Sequence, residues 1–156
     1  MPTLYLVATP IGNLEDITRR ALRVLSEVSL IAAEDTRKTR HLLTTYGIKT
    51  PLLSYYDHNK RQRLPQLLRH LEQSDLALVS EAGMPNISDP GFELVREATA
   101  RGIPVVPIPG PSAIITALAV SGLPTHRFYY VGFLPRKKGE RRRLLAEVAP
   151  LKVTLV

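Results

Sequence analysis

Several features that would point to particular functions are missing from this sequence. None of its 156 residues is a cysteine, which excludes disulfides, thiolate metal sites and cysteine catalysis. No apolar run approaches the length of about 20 residues that spans a bilayer, and residues 1–5 lack the basic start of a secretory signal. The histidines are scattered without zinc-ligand spacing, at His41, His58, His70 and His126. We therefore expect a cytoplasmic protein with no membrane segment and no bound metal.

Two phosphate-binding motifs are also absent. There is no G-x-x-x-x-G-K-[ST] motif, which argues against a P-loop NTPase. There is no G-x-G-x-x-G motif after the first predicted strand, which argues against an NAD enzyme and an ordinary Rossmann methyltransferase. A cofactor without phosphates, held mainly by backbone groups, fits the chain better.

Basic residues are in excess, and most of the excess is local. The net charge is +7, from 21 Lys and Arg against 14 Asp and Glu. The segment 136–143 has six basic residues against Glu140 and so carries +5 of it. Weaker basic stretches lie at 37–41 and 60–63. Such patches suit a polyanion such as RNA, although each alone is also typical of a solvated helix face. The RNA candidates in the first segment are Arg136, Lys137 and Lys138.

Short apolar runs alternate with helical patterns along the chain. With 44% hydrophobic residues the chain can bury a real core. The pattern predicts an α/β fold, with a mostly parallel five-stranded sheet and helices on both faces. The predicted strands are 4–8, 30–33, 52–55, 76–80 and 103–107. Between them we predict a helix capped by Asp16, a helix ending near Gly47 and a helix from Leu64 with Pro65 in its first turn. The apolar helix 113–120 is expected to be buried.

The last part of the chain is expected to belong to a second domain. Residues 121–125 read as a linker, followed by a strand (128–133), a basic helix (139–149) and a strand (152–156). One such unit is too small for an independent core, and the chain stops within the last strand. We therefore expect a first domain at 1–121, the beginning of a second α/β domain at 122–156, and a longer parent protein.

Glycine and proline are concentrated where the predicted strands end. Such segments follow strands one, four and five, at residues 10–13, 80–91 and 107–113. In open parallel sheets, ligands bind beyond the carboxyl ends of the strands. Glycine lets a backbone amide approach a ligand closely, and proline restricts the loop in advance. These loops are therefore the candidate binding site, although each alone could be only a tight turn.

Several segments carry a resemblance to a known family. They follow one another in its order, at residues 4–18 (LYLVATPIGNLEDIT), 33–37 (AEDTR), 57–59 (DHN), 80–91 (SEAGMPNISDPG) and 109–113 (PGPSA). With them the chain resembles the ribosomal RNA small-subunit methyltransferase I family, within the tetrapyrrole-methylase superfamily of S-adenosylmethionine enzymes. The resemblance covers the whole chain and its long motifs are specific.

This resemblance implies a two-domain enzyme, usually a homodimer, with S-adenosyl-L-methionine in the cleft between the domains. It also implies methylation of a cytidine ribose 2′-hydroxyl in the decoding region of 16S rRNA, so that the small ribosomal subunit is the partner. The chain departs from the family at Met84, where Thr or Asp is expected and a side-chain contact is therefore lost. Matched by motif, the cofactor contacts would fall on Pro10, Gly12, Ala82, Gly83, Met84, Ile87, Ser112 and Ala113.

Methyl transfer to a hydroxyl needs a group that accepts the proton late in the reaction. A partly desolvated carboxylate with a raised pKa would serve. Asp35 is the first candidate, because it follows strand two at the edge of the cofactor loops, and Glu34 and Glu81 are its rivals. The alternative interpretation of Glu34 and Asp35 is a helix N-cap. Contacts with RNA are expected from Arg37 and Arg40, which could hold a phosphate, and from His58 and Asn59, which could also take the proton.

Two other functions remain open from the sequence. A tetrapyrrole C-methyltransferase would share the fold and the cofactor, but the basic segments suit RNA better than a porphyrin-like acid. A catalytically inert RNA-binding or dimerisation module is the alternative if a further domain completes the site.

Overall fold

The computed structural model describes residues 1–89 and 91–156, and it divides into two compact units, Met1–Ser112 and Ala113–Val156. In the first unit the strands are β1 (Leu4–Val7), β2 (Leu30–Ala33), β3 (Leu52–Ser54), β4 (Leu76–Val79) and β5 (Val105–Ile108). Its helices are α1 (Arg19–Glu27), α2 (Thr36–Thr45), α3 (Lys60–Leu71) and α4 (Phe92–Ala100). The second unit contains α5 (Ala113–Val120), β6 (Phe128–Tyr129), α6 (Lys138–Val148) and β7 (Thr154–Leu155).

The strands of the first unit form one parallel sheet in the order β3-β2-β4-β1-β5. From β1 the chain passes outward through β2 to β3, returns to the centre at β4 and then crosses to β5. The direction of the connections therefore reverses between β1 and β4, which are neighbours. Ligands of open α/β sheets bind beyond the strand ends at such a point. The predicted α/β fold with a five-stranded parallel sheet is confirmed.

Alternate residues of each strand face opposite sides of the sheet. In β4, Ala77 and Val79 belong to a core with α1 and α2, whereas Leu76 and Leu78 belong to a core with α3 and α4. Each fully buried leucine contributes about 1.5–3 kcal/mol to folding. The predicted helices on both faces are confirmed, and the continuous apolar character of β4 follows from burial on both sides.

The start of α1 differs from the prediction. Asp16 is not its N-cap; Thr18 is, and the Thr18 hydroxyl accepts a hydrogen bond from the Ala21 N–H at 3.0 Å. Asp16 instead ends a short 3₁₀ turn (Leu14–Asp16), whose cap Asn13 accepts the Glu15 N–H at 3.1 Å. The prediction was wrong because this extra turn separates the loop after β1 from the helix.

The start of α3 also differs. The helix begins at Lys60, so Pro65 lies inside it rather than in its first turn. The side chain of Asn59 makes the earlier start possible, since its Oδ1 accepts the Tyr56 N–H at 2.9 Å and fixes the turn before the helix. Pro65 is exposed, so the helical carbonyl that loses its partner can bond to water.

The second unit has a small sheet of its own. β6 and β7, which α6 separates along the chain, pair in parallel, and the Thr154 hydroxyl donates to the Pro124 carbonyl at 2.6 Å. Helix α5 was expected to be buried, and this is wrong: Leu118 is buried, but Ile115 is 54% and Val120 is 82% exposed. The compact units divide before α5, while the predicted domain boundary after residue 121 stays a prediction.

Within residues 1–89 and 91–156, none of the helices combines the length and apolar character needed to cross a membrane.

Candidate functional site

The glycine- and proline-rich loops of the first unit meet at Gly83. Gly83 and Thr9 exchange two backbone hydrogen bonds of 3.0 Å, which join the loop after β4 to the loop after β1. A Cβ built on Gly83 would lie 3.5 Å from the Ile11 side chain and 3.6 Å from the Pro111 carbonyl oxygen, which belongs to the loop after β5. Gly83 has a φ of +77°, which glycine adopts without strain. The three loops therefore converge beside the strand-order reversal.

An aspartate shapes the loop between β4 and α4 from within. The Asp89 carboxylate accepts the N–H of Asn86 at 2.5 Å and that of Gly91 at 3.3 Å. Asn86 and Ser88 both have positive φ angles, 72° and 64°, so the chain curls around this carboxylate. Burial raises the pKa of Asp89, and these hydrogen bonds act in the opposite direction. Pro90, part of the predicted loop, lies outside the described residues.

Within this loop the predicted cofactor residues have different surroundings. Met84 packs against the core formed with α3 and α4, so its side chain acts in packing. Ala82 and Ile87 are exposed, while Gly83 is buried. Because the N–H of Gly83 already bonds to Thr9, an acceptor group of a ligand on this loop would have to bond to the N–H groups of its neighbours.

A groove of about 530 Å³ opens between these loops and α2. Four residues of the predicted site line it, namely Pro10, Asp35, Arg37 and Glu81. The other lining residues, which the sequence had not singled out individually, are Thr9, Leu14, Lys38, Thr39, His41, Leu42 and Ser80. Of these, Ser80 lies in the predicted binding loop 80–91, and Lys38, Thr39 and His41 lie in the basic stretch 37–41. The helical spacing of Lys38, His41 and Leu42 is a signal that could have found part of this set, because it puts them on one face of α2.

Glu34 and Asp35 are adjacent in the chain, and their pKa values are shifted in opposite directions. Asp35 is the N-cap of α2 and accepts the N–H groups of Arg37 at 2.8 Å and Lys38 at 3.3 Å. These two hydrogen bonds hold the pKa of Asp35 below its ordinary value. Burial raises the pKa of Glu34, and the carboxylates of Asp89, Glu81 and Asp57 add to the effect. The raised pKa expected of a proton acceptor is thus found at Glu34, and the alternative N-cap interpretation fits Asp35.

Glu81 links the two sides of the groove. Its backbone N–H donates to the Glu34 carboxylate at 3.2 Å. Its own carboxylate accepts a hydrogen bond from the Lys38 ammonium, and this bond raises the pKa of Lys38. The ends of β2 and β4 are therefore joined by one chain of polar contacts, from Lys38 through Glu81 to Glu34.

The remaining predicted residues lie around this centre. Arg40 lines a separate hollow with Leu43 and Thr44 on another side of α2. His58 is exposed and meets Tyr56 edge-on, with ring centroids 6.0 Å apart. The Asn59 amide donates to Ser54, at 3.1 Å to its carbonyl and 3.0 Å to its hydroxyl, so Asn59 has a structural role in this loop.

The other predicted contacts lie in exposed segments or near the unit boundary. Gly12 is exposed, with a φ of +151°. Ser112 ends the first unit and Ala113 begins the second. The basic residues Arg136, Lys137 and Lys138 are exposed at the start of α6. Their roles stay predictions.

Two oxygens on the converging loops suit a polar ligand. Among the described residues, the Thr9 hydroxyl and the Asn86 side-chain oxygen are buried without a hydrogen-bond partner. Buried polar groups are nearly always hydrogen-bonded in proteins, to protein or to ordered water, so these oxygens are places for a water or a ligand donor group. In the same described part of the chain, no group of three or more His, Asp and Glu side chains could hold a metal ion.

Comparison with known proteins identifies relatives of this chain. The model of the family Tetrapyrrole (Corrin/Porphyrin) Methylases matches residues 3–156. The chain is 57% identical over 155 residues to Ribosomal RNA small subunit methyltransferase I of Halalkalibacterium halodurans, covering 99% of this chain and 54% of the relative. It is 53% identical to the protein of the same name from Pseudomonas aeruginosa, covering 99% and 55%. The chain thus spans about half the length of these curated relatives.

A solved structure shares the fold. A conserved hypothetical protein from Aeropyrum pernix K1 superposes with a TM-score of 0.66 at 20% identity, covering 83% of this chain and 46% of that one. At this identity the likeness supports the fold alone.

Proposed function

This chain belongs to the tetrapyrrole (corrin/porphyrin) methylase family, and from that premise we propose that its parent protein methylates small-subunit ribosomal RNA. The finer proposal is transfer of a methyl group to the ribose 2′-hydroxyl of a cytidine in the decoding region of 16S rRNA. The relatives named for ribosomal RNA methylation, at 57% and 53% identity, support the substrate class.

One structural observation carries the proposal. The groove at the strand-order reversal is lined by basic residues of α2, Arg37 and Lys38, and by Glu81. The backbone N–H of Glu81 donates to Glu34, a neighbouring carboxylate with a raised pKa. A basic wall suits the phosphates of RNA, and a carboxylate with a raised pKa suits proton transfer. This combination fits RNA methylation better than methylation of a tetrapyrrole acid.

We propose S-adenosyl-L-methionine as the methyl donor, which supplies an already activated methyl group when bound. The loops that meet at Gly83 are the proposed place for it. The backbone of Pro10, Gly12, Ala82, Gly83 and Met84 would hold it, together with Ile87, Ser112 and Ala113. The partnerless oxygens of Thr9 and Asn86 are compatible with its hydroxyl and ammonium groups.

Of the three candidate carboxylates, Glu34 is the best proposed proton acceptor. Its pKa is raised by burial, which makes it a stronger base than an ordinary carboxylate. Asp35 is weaker as a base because backbone hydrogen bonds stabilise its charged form. Glu81 is already paired with Lys38. The proposed order is therefore Glu34, then Glu81, then Asp35.

The test is methyl transfer by the full-length protein. Donor labelled in its methyl group is incubated with small ribosomal subunits that lack the modification, and in parallel with a precorrin-type tetrapyrrole. We expect label in a 2′-O-methylcytidine of 16S rRNA. Label in the tetrapyrrole but not in the RNA would replace this function with the alternative one.

Two further proposals concern the partners and the isolated chain. We propose that the full-length protein is a homodimer, which sedimentation equilibrium tests directly. Calorimetry with S-adenosyl-L-methionine on the 156-residue chain tests whether this part binds the cofactor; absence of heat would favour an inert RNA-binding or dimerisation module.

A further inference from the structure

An ion pair crosses the groove at a place where it contributes little to folding. Lys38 and Glu81 bond to each other across the groove, and their side chains are 59% and 51% exposed. Exposed ion pairs contribute between about 0 and 1 kcal/mol to stability. The pair joins α2 to the loop after β4, which lies 43 residues further along the chain. The pair can therefore exchange partners at little cost to folding.

Lys38 lies beside a second cation in the groove, so its surroundings attract anions. Arg37, on the same wall, adds a second positive charge; its side chain is 92% exposed, and its Nε lies 3.7 Å from the Asp35 carboxylate. Asp35 is the other acid of the lining, and its carboxylate is engaged by the backbone of α2. Glu81 is thus the exchangeable partner of Lys38.

The rest of the groove has the size and chemistry for a nucleoside. Pro10, Leu14 and Leu42 give it an apolar part. Its volume of about 530 Å³ lies within the range of about 300–1,000 Å³ for small-molecule sites. Proteins that read single-stranded RNA hold unstacked bases against apolar or aromatic side chains and contact the phosphates with basic residues.

We propose that the groove receives one unstacked nucleotide of the RNA, with its base against Pro10, Leu14 and Leu42, and that its phosphate replaces Glu81 as the partner of Lys38. This inference rests on the proposed function, whose substrate it specifies. Glu81 then acts as a competitor that a phosphate can displace but an uncharged nucleoside cannot. The groove therefore selects a nucleotide that carries its phosphate.

The competition predicts opposite effects for the two partners of the ion pair. In the full-length protein, Lys38→Met removes a phosphate ligand, so binding of a single-stranded oligoribonucleotide should weaken by about tenfold. The slope of log affinity against log salt should fall by about 0.7, one phosphate contact. Glu81→Gln removes the competitor, so binding should become tighter by about threefold. Fluorescence anisotropy at several salt concentrations measures both effects.

The chain offers a matched control pair. Arg23 and Glu27 of α1 form an exposed ion pair of 2.8 Å, with both side chains 58% exposed. Arg23→Met and Glu27→Gln change the net charge by the same amounts, so they measure the effect of charge alone. We expect both to change RNA affinity by less than about twofold. Competition by cytidine 5′-monophosphate and by cytidine isolates the phosphate: the nucleotide should compete better with the wild type and lose this advantage in Lys38→Met.

The outcomes separate this inference from the proposed function. If Glu81→Gln weakens RNA binding as Lys38→Met does, or if both variants behave as their controls, the exchange is overturned. If the wild type still methylates RNA in that case, the proposed function stands. If the wild type neither binds nor methylates RNA, the proposed function fails and the inference fails with it.

Discussion

The turn after β2 and the loop after β4 lie side by side, and each is organised by an aspartate that accepts backbone N–H groups. Asp35 caps α2 in the turn, and Asp89 holds the loop. Their pKa values nevertheless shift in opposite directions. Burial dominates at Asp89 and raises its pKa, whereas hydrogen bonds dominate at Asp35, which is also partly buried, and lower its pKa.

The difference shows which segment at this edge of the sheet holds its own backbone and which presents side chains for chemistry. The loop uses its carboxylate, its positive-φ residues and its glycines to hold its own backbone. The turn needs Asp35 to start the helix, and it leaves Glu34 and Lys38 in contact with the loop through Glu81. We interpret residues 82–89 of the loop as scaffold, and the turn together with Glu81 as the part that presents reactive side chains.

The largest expected effect tests this division on the two carboxylates with raised pKa values. Glu34→Gln in the full-length protein should lower kcat for RNA methylation by about 10²–10⁴-fold, the range for a lost general base. Asp89→Asn should cost much less, because the Oδ1 atom that accepts both N–H groups is kept. Single-turnover methyl transfer measures both. An equal loss of kcat in the two variants would contradict the distinction between the scaffold and the reactive turn.

The second prediction concerns the tightness of the scaffold. A Cβ at Gly91 would lie 2.9 Å from the Leu78 Cδ2 atom and 3.3 Å from the Asn86 Cβ atom. Gly91→Ala should therefore lower the free energy of unfolding by about 1–3 kcal/mol, the usual cost of overpacking. Gly139→Ala is the control, since a Cβ there meets nothing within 4 Å and alanine favours a helix. Urea denaturation measures the free energy of unfolding of both variants. Similar free energies for the two would show that the loop adjusts to the added methyl group without strain.

A smaller effect tests the burial of Glu34 through stability. The folded-state pKa of Glu34 is raised, so the stabilisation from its protonation is complete below the unfolded pKa. It is lost as the pH rises through the folded pKa. Glu34→Gln resembles the protonated acid, so it should raise the free energy of unfolding relative to wild type at about pH 7 and lose that advantage at about pH 3. A difference that does not change with pH would contradict the burial of this charge.

The smallest expected effect is at Asp35, where stability should depend on pH in the opposite direction. Its folded-state pKa is lowered, so its stabilisation is present above the unfolded pKa and is lost as the pH falls through the folded pKa. Asp35→Asn keeps the capping oxygen and removes the charge, so it should be slightly less stable than wild type at neutral pH and equal to it in acid. Thermal unfolding of both proteins from acid to neutral pH measures the difference in stability. A destabilisation that is the same at every pH would contradict this prediction.

The sequence predicted the sheet well and the chemistry of its edge only in part. The apolar run that forms β4, Leu76–Val79, and the glycine-rich loop after it are local signals, and both are confirmed. The contact of Lys38 with Glu81 joins residues 43 positions apart, so it depends on strand order, which periodicity does not report. The sequence also could not tell which of Glu34 and Asp35 has the raised pKa, because both are partly buried. The direction of each shift depends on the balance of burial and backbone hydrogen bonds in the folded chain.

The pair of backbone hydrogen bonds between Thr9 and Gly83 has a kinetic consequence. The bonds tie the ends of two neighbouring strands together, so the loops after β1 and β4 should move as one body rather than fold onto a ligand separately. Association with this wall should then occur in a single step whose rate rises linearly with ligand concentration. A slow, concentration-independent phase in stopped-flow binding would therefore come from other parts of the full-length protein.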